Sequence, residues 1–284
     1  MLRAYYRLTK PGIIYGNLLT VLAGYLFASQ LNIEILTLIS LLAGMALVIA
    51  SACVCNNVID RDIDAKMERT RERATVTGLI SVRAALMYAA VLGVAGYATL
   101  FFLTNLATTV VAFTGMFFYV VVYGYTKRVT RTHTLIGSIS GAAPILAGYT
   151  AYVTTIDTAG VMLFFIMILW QMPHFYAIAL YRLDEYASAG IPLLPSVKGA
   201  YLTKIVISVY IAVFVCAEAL LMILGYVGYT YLAVVLGFGI AWFFRSLNGF
   251  WAQDDAAWAK QLFFFSLKVL LAFCAAISFG TLLP

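Results

Sequence analysis

The sequence predicts an all-α polytopic membrane protein with about nine transmembrane helices, and three observations support that fold class. Of the 284 residues, 64% are hydrophobic and 11% are charged, and the mean hydropathy is +0.97, values that exclude a soluble domain. The uncharged runs are long enough to cross a bilayer, which takes about 20 helical residues. With one exception, lysine and arginine recur only at every second boundary between these runs.

The uncharged runs divide into individual spans in chain order. Two runs of about forty residues, 84–126 and 205–244, must each hold two helices, and the chain can turn at Asn105 and between Gly225 and Thr230. The predicted spans are 13–31, 35–56, 82–103, 105–125, 135–153, 159–181, 202–225, 229–247 and 261–282.

The positive charges predict how the chain is oriented in the lipid bilayer. Every Lys and Arg except Lys268 precedes span 1 or lies near the loops after spans 2, 4, 6 and 8. We therefore expect a cytoplasmic N-terminus and an external C-terminus. The run after Pro11 is longer than a signal-peptide core, so the first span should be retained in a bacterial inner membrane. Topology accounts for the net charge of +6, and no nucleic-acid partner is expected.

The polar loops suggest an internal duplication within one transmembrane domain, residues 1–284. Acidic stretches follow spans 2 and 6, at the same place in two successive sets of four helices. This spacing predicts two four-helix halves, about 11–130 and 131–260, plus a final helix at 261–284. Membrane proteins built from such repeats hold their sites where the halves meet.

The stretch 56–73 is the most polar part of the chain, with five acids and five bases within eighteen positions. At about 100° per residue, Asn57, Asp60 and Asp64 share one helix face, and Asp62 points to the other side. Carboxylates this close favour a cation between them, and Mg²⁺ carried in with a phosphate group suits so few protein ligands. The bases that would face the same anion are Lys66, Arg69, Arg71 and Arg73.

A second polar loop, 181–199, follows span 6 on the same side. Arg182 can donate two hydrogen bonds to a phosphate, Asp184 and Glu185 are acids, and Tyr186 has a phenol that can bond a leaving oxygen. Each loop alone also fits an ordinary solvated helix end. Facing each other at a membrane surface, the two loops predict a pocket for a molecule with a diphosphate head and a hydrocarbon tail.

The motifs resemble a known family of membrane enzymes. Asn56, Asp60 and Asp64 match the NxxxDxxxD signature of the UbiA-type intramembrane prenyltransferases, with Asn57 beside it. DRDIDAKMERTRER, GSISGAAP, WQMPHF and GIPLLP are similar to the branch of that family that farnesylates haem. The resemblance covers nearly the whole chain. It departs from the family in the second loop, where Ser188 stands in place of the final acid of a DxxxD motif.

The resemblance implies transfer of farnesyl from farnesyl diphosphate to a vinyl group of haem b, with addition of water to give haem O. It implies a Mg²⁺ ion on Asp60 and Asp64, catalytic roles for those two residues, Asn57 and Tyr186, and haem A synthase or a terminal oxidase as the downstream partner. Together with the charge pattern, it assigns diphosphate contact to Asn56, Lys66, Arg69, Arg73, Arg182, Asp184 and Glu185.

The two histidines are expected to lie in different environments. His174 follows Pro173 inside span 6, where freed backbone carbonyls and a kink towards a cavity are expected. A histidine at this depth is a site candidate, and imidazole is an axial ligand of haem iron. The alternative is a hydrogen bond to a neighbouring helix. His133, at a loop end, is expected to be solvated.

Four other residues within the spans have predicted structural roles. Glu218, in span 7, is expected to bond a neighbouring helix or contact a haem edge in the outer half, and Lys268 to snorkel or pair with it. Gly137 and Gly141 form a GxxxG pattern typical of close helix packing.

Three alternative functions make different demands on these residues. A prenyltransferase acting on an aromatic acid or naphthoate needs the same first loop but gives no role to an intramembrane His174. A transporter or channel needs charges along a continuous route, whereas here they cluster on one side. A non-enzymatic haem-binding assembly factor needs His174 but not paired aspartates. The shared helix face of Asp60 and Asp64, with the basic residues that follow it in the chain, favours an enzyme over both non-enzymatic alternatives.

Overall fold

The computed structural model describes residues 1–280, which contain nine long helices and no β-strand. Shorter helical segments at Leu2–Leu8, Arg61–Asp64 and Leu183–Ser188 connect to them. The nine long helices are α1 (Pro11–Ser29), α2 (Ile35–Ile59), α3 (Val82–Leu103), α4 (Leu106–Thr126), α5 (His133–Val153), α6 (Thr158–Tyr181), α7 (Leu194–Ile223), α8 (Tyr229–Leu247) and α9 (Asp255–Phe279). The all-α fold class is confirmed.

Eight helices in the described part of the chain are long and apolar enough to cross a membrane, so the protein is a multi-pass membrane protein. The helix outside that set is α5, which is rich in glycine, serine and threonine. It packs against α1, α4 and α6, and 13 of its 21 residues are buried. A helix covered by its neighbours has little contact with lipid, so it does not need an apolar surface all round.

The two long apolar runs turn where the sequence predicted. α3 ends at Leu103, and the side-chain oxygen of Asn105 accepts the Thr108 N–H at 2.9 Å, which caps α4. α7 ends at Ile223, and Gly225 adopts a φ of 79°, a conformation that side chains disfavour.

Helices α1 and α5 cross at two glycines. A Cβ on Gly24 would lie 2.1 Å from the Ile145 carbonyl oxygen, and a Cβ on Gly148 would lie 2.0 Å from the Val21 carbonyl oxygen. The backbones approach this closely only because neither glycine has a side chain. The crossing holds α1 against α5, and other residues of both helices line the cavity described below.

The expected GxxxG pair on α5 accommodates two side chains of other helices. A Cβ on Gly141 would lie 1.9 Å from the Gln171 side-chain oxygen, and a Cβ on Gly137 would lie 3.0 Å from the Tyr123 ring. The Gln171 amide uses that space to donate to the Ser138 carbonyl at 3.2 Å. Close packing is thus confirmed, and its partners are side chains of α4 and α6.

Two irregular features lie in the helices around the cavity. α4 contains a π-helical segment, Phe118–Tyr123, whose wider turn changes which residues face inward. Such segments occur frequently at functional sites. α6 continues through Pro173, whose missing N–H leaves one carbonyl of the preceding turn without its usual partner.

The loops after α2, α4, α6 and α8 meet at one end of the bundle. Arg128, after α4, forms a two-pronged ion pair with Asp62 at 2.6 and 2.7 Å. Arg69 lies 3.6 Å from Glu185 of the loop after α6. Lys204 and Asp255, near the starts of α7 and α9, are 2.5 Å apart. The basic loops therefore form one polar face, linked by ion pairs.

Gly24→Ala should destabilise the bundle by about 1–3 kcal/mol, because the new Cβ collides with a backbone carbonyl that cannot rotate away. Thermal unfolding of the purified protein in detergent measures this. Gly237→Ala on α8 is the matched control, because no atom lies within 4 Å of the new methyl group. Equal melting temperatures for the two variants would contradict the close crossing.

Candidate active site

A cavity of about 540 Å³ opens among α1, α2, α4, α5, α6 and α9 at the polar face. Its mouth is lined by charged and amide side chains: Lys10, Asn56, Asp60, Asp64, Arg69, Arg73 and Lys127. Deeper in the bundle the lining becomes apolar, with Met45, Val48, Ala112 and Met167. The shape and polarity suit an amphiphile with an anionic head and a long apolar tail.

The two aspartates of the first loop lie at the mouth, and each contacts a cation. α2 ends at Ile59, and Asp60 occupies the junction with the short helix Arg61–Asp64. The Asp60 carboxylate pairs with Lys127, and the Asp64 carboxylate, which is 2% exposed, pairs with Arg73. A buried carboxylate requires a partner of this kind.

The amide on the cavity wall belongs to Asn56 and not to Asn57. The Asn56 side-chain oxygen accepts a hydrogen bond from Lys10 Nζ at 2.7 Å. Asn57 is buried behind it, and its side-chain NH₂ donates to the Leu8 carbonyl at 2.7 Å. We expected Asn57 to share a face with Asp60 and Asp64. Both asparagines lie in the last turn of α2, and Asn56, four residues before Asp60, is the one that lines the cavity.

Two lysines at the mouth were not singled out from the sequence. Lys10 adopts a left-handed φ of 52°, which costs about 1–2 kcal/mol for a residue with a side chain. This conformation turns the chain from the short helix Leu2–Leu8 into α1. Burial, with Arg73 nearby, lowers the pKa of Lys10 to about 8. Burial also lowers the pKa of Lys127, although the adjacent Asp60 carboxylate opposes the shift. From the sequence alone, these two lysines indicated only which side of the membrane their segments lie on.

The second loop faces the first, as predicted, but only part of it reaches the cavity. Tyr186 lines the cavity and packs with Ile63 and Met67 of the first loop. Burial raises the pKa of the Tyr186 phenol, so the phenol stays protonated and can donate a hydrogen bond.

The other charged residues of the two loops lie outside the cavity lining. Arg182 donates to Glu185 at 2.9 Å and to the Tyr181 hydroxyl at 2.6 Å. Asp184 and Lys66 are exposed. The Glu185 carboxylate contacts Arg69, so it joins the loops at the rim.

His174 lies on the cavity wall inside α6, as predicted. Its ring stacks on Trp170 with centroids 4.7 Å apart and lies 4.9 Å from the ring of Phe263. Nδ1 lies 2.7 Å from the Ser266 hydroxyl oxygen of α9. The histidine therefore bonds a neighbouring helix and also faces the cavity. From the sequence, these two positions were alternatives.

The expectation that His133 is solvated is wrong. His133 is 3% exposed and lines the cavity, with its ring 5.8 Å from that of Tyr123. The first turn of α5 packs against the π-helical segment of α4, and the Pro192 carbonyl of the second loop lies beside the imidazole. These long-range contacts remove the histidine from solvent.

The π-helical segment contributes two aromatic side chains to the cavity that the sequence did not identify. Tyr119 and Tyr123 stack with centroids 6.0 Å apart and an interplanar angle of 6°. Trp170 and Phe175 also line the cavity. Aromatic faces attract cations, so these four rings can stabilise positive charge within the cavity.

In the described part of the chain, Glu218 does not bond a neighbouring helix and does not pair with Lys268. Glu218 is 1% exposed, and within residues 1–280 neither carboxyl oxygen has a hydrogen-bond partner. Lys268 forms no ion pair with it in the described part of the chain. Lys268 lies instead in a groove between α8 and α9 that also contains Phe238.

Residues 17–268 match the UbiA prenyltransferase family. This chain belongs to that family. It is 46% identical over 278 residues to protoheme IX farnesyltransferase 2 of Pseudomonas aeruginosa, covering 98% of this chain and 94% of that protein. It is 45% identical to protoheme IX farnesyltransferase of Pectobacterium carotovorum, covering 100% of this chain and 97% of the relative.

Solved structures of other UbiA-type proteins share the fold. Digeranylgeranylglyceryl phosphate synthase superposes with a TM-score of 0.82 at 19% identity, covering 99% of this chain and 98% of that one. A UbiA homolog from Archaeoglobus fulgidus bound to GPP and Mg²⁺ gives a TM-score of 0.73 at 17% identity, covering 97% and 99%.

The aspartates of this UbiA-family chain fit a divalent cation that arrives with a phosphate group. Residues 1–280 contain no cluster of three or more His, Cys, Asp or Glu side chains able to hold a metal, so the protein provides no closed cage. Mg²⁺ commonly binds one or two carboxylates and completes its shell with phosphate oxygens and water. The Lys127 and Arg73 ion pairs also show that these carboxylates require positive charge beside them.

The value of kcat/KM for the prenyl diphosphate should fall as the pH rises above about 8, because Lys10 is charged below its pKa and neutral above it. Lys10→Arg should abolish the fall, since a guanidinium stays charged throughout this range. Lys66→Arg, at an exposed position, should leave the profile unchanged. Steady-state rates between about pH 7 and pH 9.5 test this, and a flat wild-type profile would contradict a role for Lys10 in binding the anion.

Proposed function

We propose that this chain is a Mg²⁺-dependent protohaem IX farnesyltransferase. It would transfer farnesyl from farnesyl diphosphate to a vinyl group of haem b and add water to give haem O. The observation that carries the proposal is that one cavity holds both the Asp60 and Asp64 carboxylates and the intramembrane His174. The names and full-length similarity of the bacterial relatives support the same reaction.

The mouth of the cavity would bind the diphosphate. Asp60 and Asp64 would hold Mg²⁺, whose charge stabilises the negative charge that develops on the leaving diphosphate. Lys127 and Arg73 now pair with these carboxylates; with the carboxylates bound to the ion, they would be free to donate to diphosphate oxygens. Tyr186 would donate from the second loop.

Residues at the rim of the cavity or outside its lining have supporting roles in this proposal. Asn57, which we expected to be catalytic, would act by holding the Leu8 carbonyl and thereby fixing Lys10 two residues later. Arg69 and Glu185 would join the loops at the rim. The exposed Lys66 and Asp184 and the rim residue Arg182 would act through long-range charge.

The polar mouth and the aromatic interior of the cavity would take part in different steps of the reaction. Breaking the carbon–oxygen bond of farnesyl diphosphate releases diphosphate and leaves an allylic cation. The faces of Tyr119, Tyr123 and Trp170 would shield that cation from water. The haem vinyl group supplies the electron pair for the new carbon–carbon bond, and the cation formed beside the porphyrin ring takes up water. Loss of a proton from that water yields the hydroxyl group.

We further propose that the site faces the cytoplasm in a bacterial inner membrane. The two farnesyltransferase relatives named above are bacterial proteins, and the basic residues gather at the end of the bundle where the cavity opens. Positive residues favour the cytoplasmic side. The product would pass to haem A synthase or a terminal oxidase.

The direct test is mass spectrometry of the pigment after incubation of the purified protein with haem b, farnesyl diphosphate and Mg²⁺. The proposal requires a haem heavier by one farnesyl group plus water, and none in the chelated control. Folded protein that prenylates an aromatic acid but not haem would instead favour the quinone branch. Folded protein that prenylates neither acceptor would favour a haem-binding assembly factor.

Asp64→Asn should lower kcat by about 100-fold or more, because it removes half of the carboxylate pair that would hold the metal. Asp62→Asn is the matched control: it lies in the same loop, but its side chain is 61% exposed and pairs with Arg128 away from the cavity. Its activity should stay within about twofold of wild type, since an exposed ion pair contributes little. Similar losses in both variants would indicate general damage to the loop.

A further inference from the structure

We propose that Ser266 of α9 is a positioning residue that holds His174 in one tautomer, with the Nε2 lone pair directed into the cavity. This inference rests on the proposed role of His174 in haem binding. It adds a specific requirement, because a neutral imidazole binds iron only through a nitrogen that carries no proton.

The tautomer follows from how the single hydrogen of the Ser266 hydroxyl is used. That hydroxyl donates to the Phe263 carbonyl at 2.6 Å, within its own helix. The Ser266 oxygen also lies 2.7 Å from His174 Nδ1. With the single hydroxyl hydrogen directed to the Phe263 carbonyl, which can only accept, the Ser266 oxygen is left to accept from His174 Nδ1. In this arrangement Nδ1 carries the proton, and in the neutral ring Nε2 is an unprotonated base.

The ring contacts fix the orientation of the imidazole. Trp170 stacks with an interplanar angle of 26°, and Phe263 packs against the ring at 43°. The side chain of Trp170 donates in turn to the Ser266 carbonyl at 2.9 Å. Ser266 thus accepts hydrogen bonds from two α6 side chains that lie one turn apart. His174 lines the cavity, and because Nδ1 is bonded to Ser266, we place Nε2 on the edge of the ring that faces the cavity.

This arrangement is the one found around metal-bound histidines. Such a histidine commonly donates its second ring N–H to a neighbouring acceptor, which fixes ring orientation and raises the basicity of the ligating nitrogen. In this structure the acceptor is a serine hydroxyl on another helix. The position of α9 relative to α6 therefore determines whether His174 can bind haem iron.

The test is titration of the purified, detergent-solubilised protein with ferric haem b, followed by its Soret band and by resonance Raman spectra that report the axial ligand. Ser266→Ala should weaken haem binding by about 10-fold to 100-fold and change the iron–imidazole signature. Farnesyl diphosphate affinity should stay unchanged. Ser266→Thr, which keeps the hydroxyl, should restore both haem affinity and signature.

Ser278→Ala is the matched control on the same helix. The Ser278 hydroxyl is also buried and donates to a carbonyl one turn earlier, that of Cys274, at 2.7 Å. It therefore reproduces the loss of a buried hydroxyl on α9 without any histidine contact, and it should bind haem as the wild type does.

The outcomes separate the inference from the function on which it rests. A wild-type spectrum and haem affinity in Ser266→Ala would overturn it, and so would equal losses of haem and farnesyl diphosphate binding. If His174→Ala kept the imidazole signature, the ligand role of His174 would fail, and this inference with it. Farnesyl transfer itself would still be judged separately by the mass of the product.

Discussion

The carboxylates of Asp60 and Asp64 are largely held out of water at the end of a membrane bundle, so each requires a positive charge beside it. Two different parts of the chain provide these charges. Asp60 receives Lys127 from the end of α4, and Asp64 receives Arg73 from its own loop. Neither cation is fully solvated, and burial lowers the pKa of Lys127. Such ion pairs are exchangeable: a divalent ion can take the carboxylates and leave the cations for an anionic substrate.

The helices behind the mouth provide a rigid cavity for the apolar part of a substrate. The α1–α5 crossing at Gly24 and Gly148 holds together two helices whose other residues line the cavity, and the π-helical segment of α4 brings Tyr119 and Tyr123 to it. Both features depart from an ideal, evenly spaced bundle. In a membrane, where helices gain little by leaving lipid, such close contacts and irregularities specify the packing.

The cavity combines two different environments. Charge at the mouth suits a leaving diphosphate, whereas the region around His174 is aromatic, and His174 and Trp170 both contact Ser266 of the neighbouring helix. This separation allows one chain to bind an anionic head group and a flat apolar acceptor next to each other. The chemistry that we propose takes place where the two environments meet, beside rings that can stabilise a cation.

The sequence alone determined the fold class, the turns at Asn105 and Gly225 and the single basic face, and it predicted Asp60, Asp64 and His174 as site residues. Each of these follows from local composition, from residue spacing or from a family motif. Only the tertiary structure decided which residues complete the site. Helical periodicity places both Asn56 and Asn57 near the aspartate face, and only the packing of α2 shows that Asn56 lines the cavity while Asn57 bonds the Leu8 carbonyl behind it. Lys10, Lys127, His133 and Ser266 reach the site from four separate segments, because burial and hydrogen-bond partners depend on which helices are neighbours, and local sequence does not specify that.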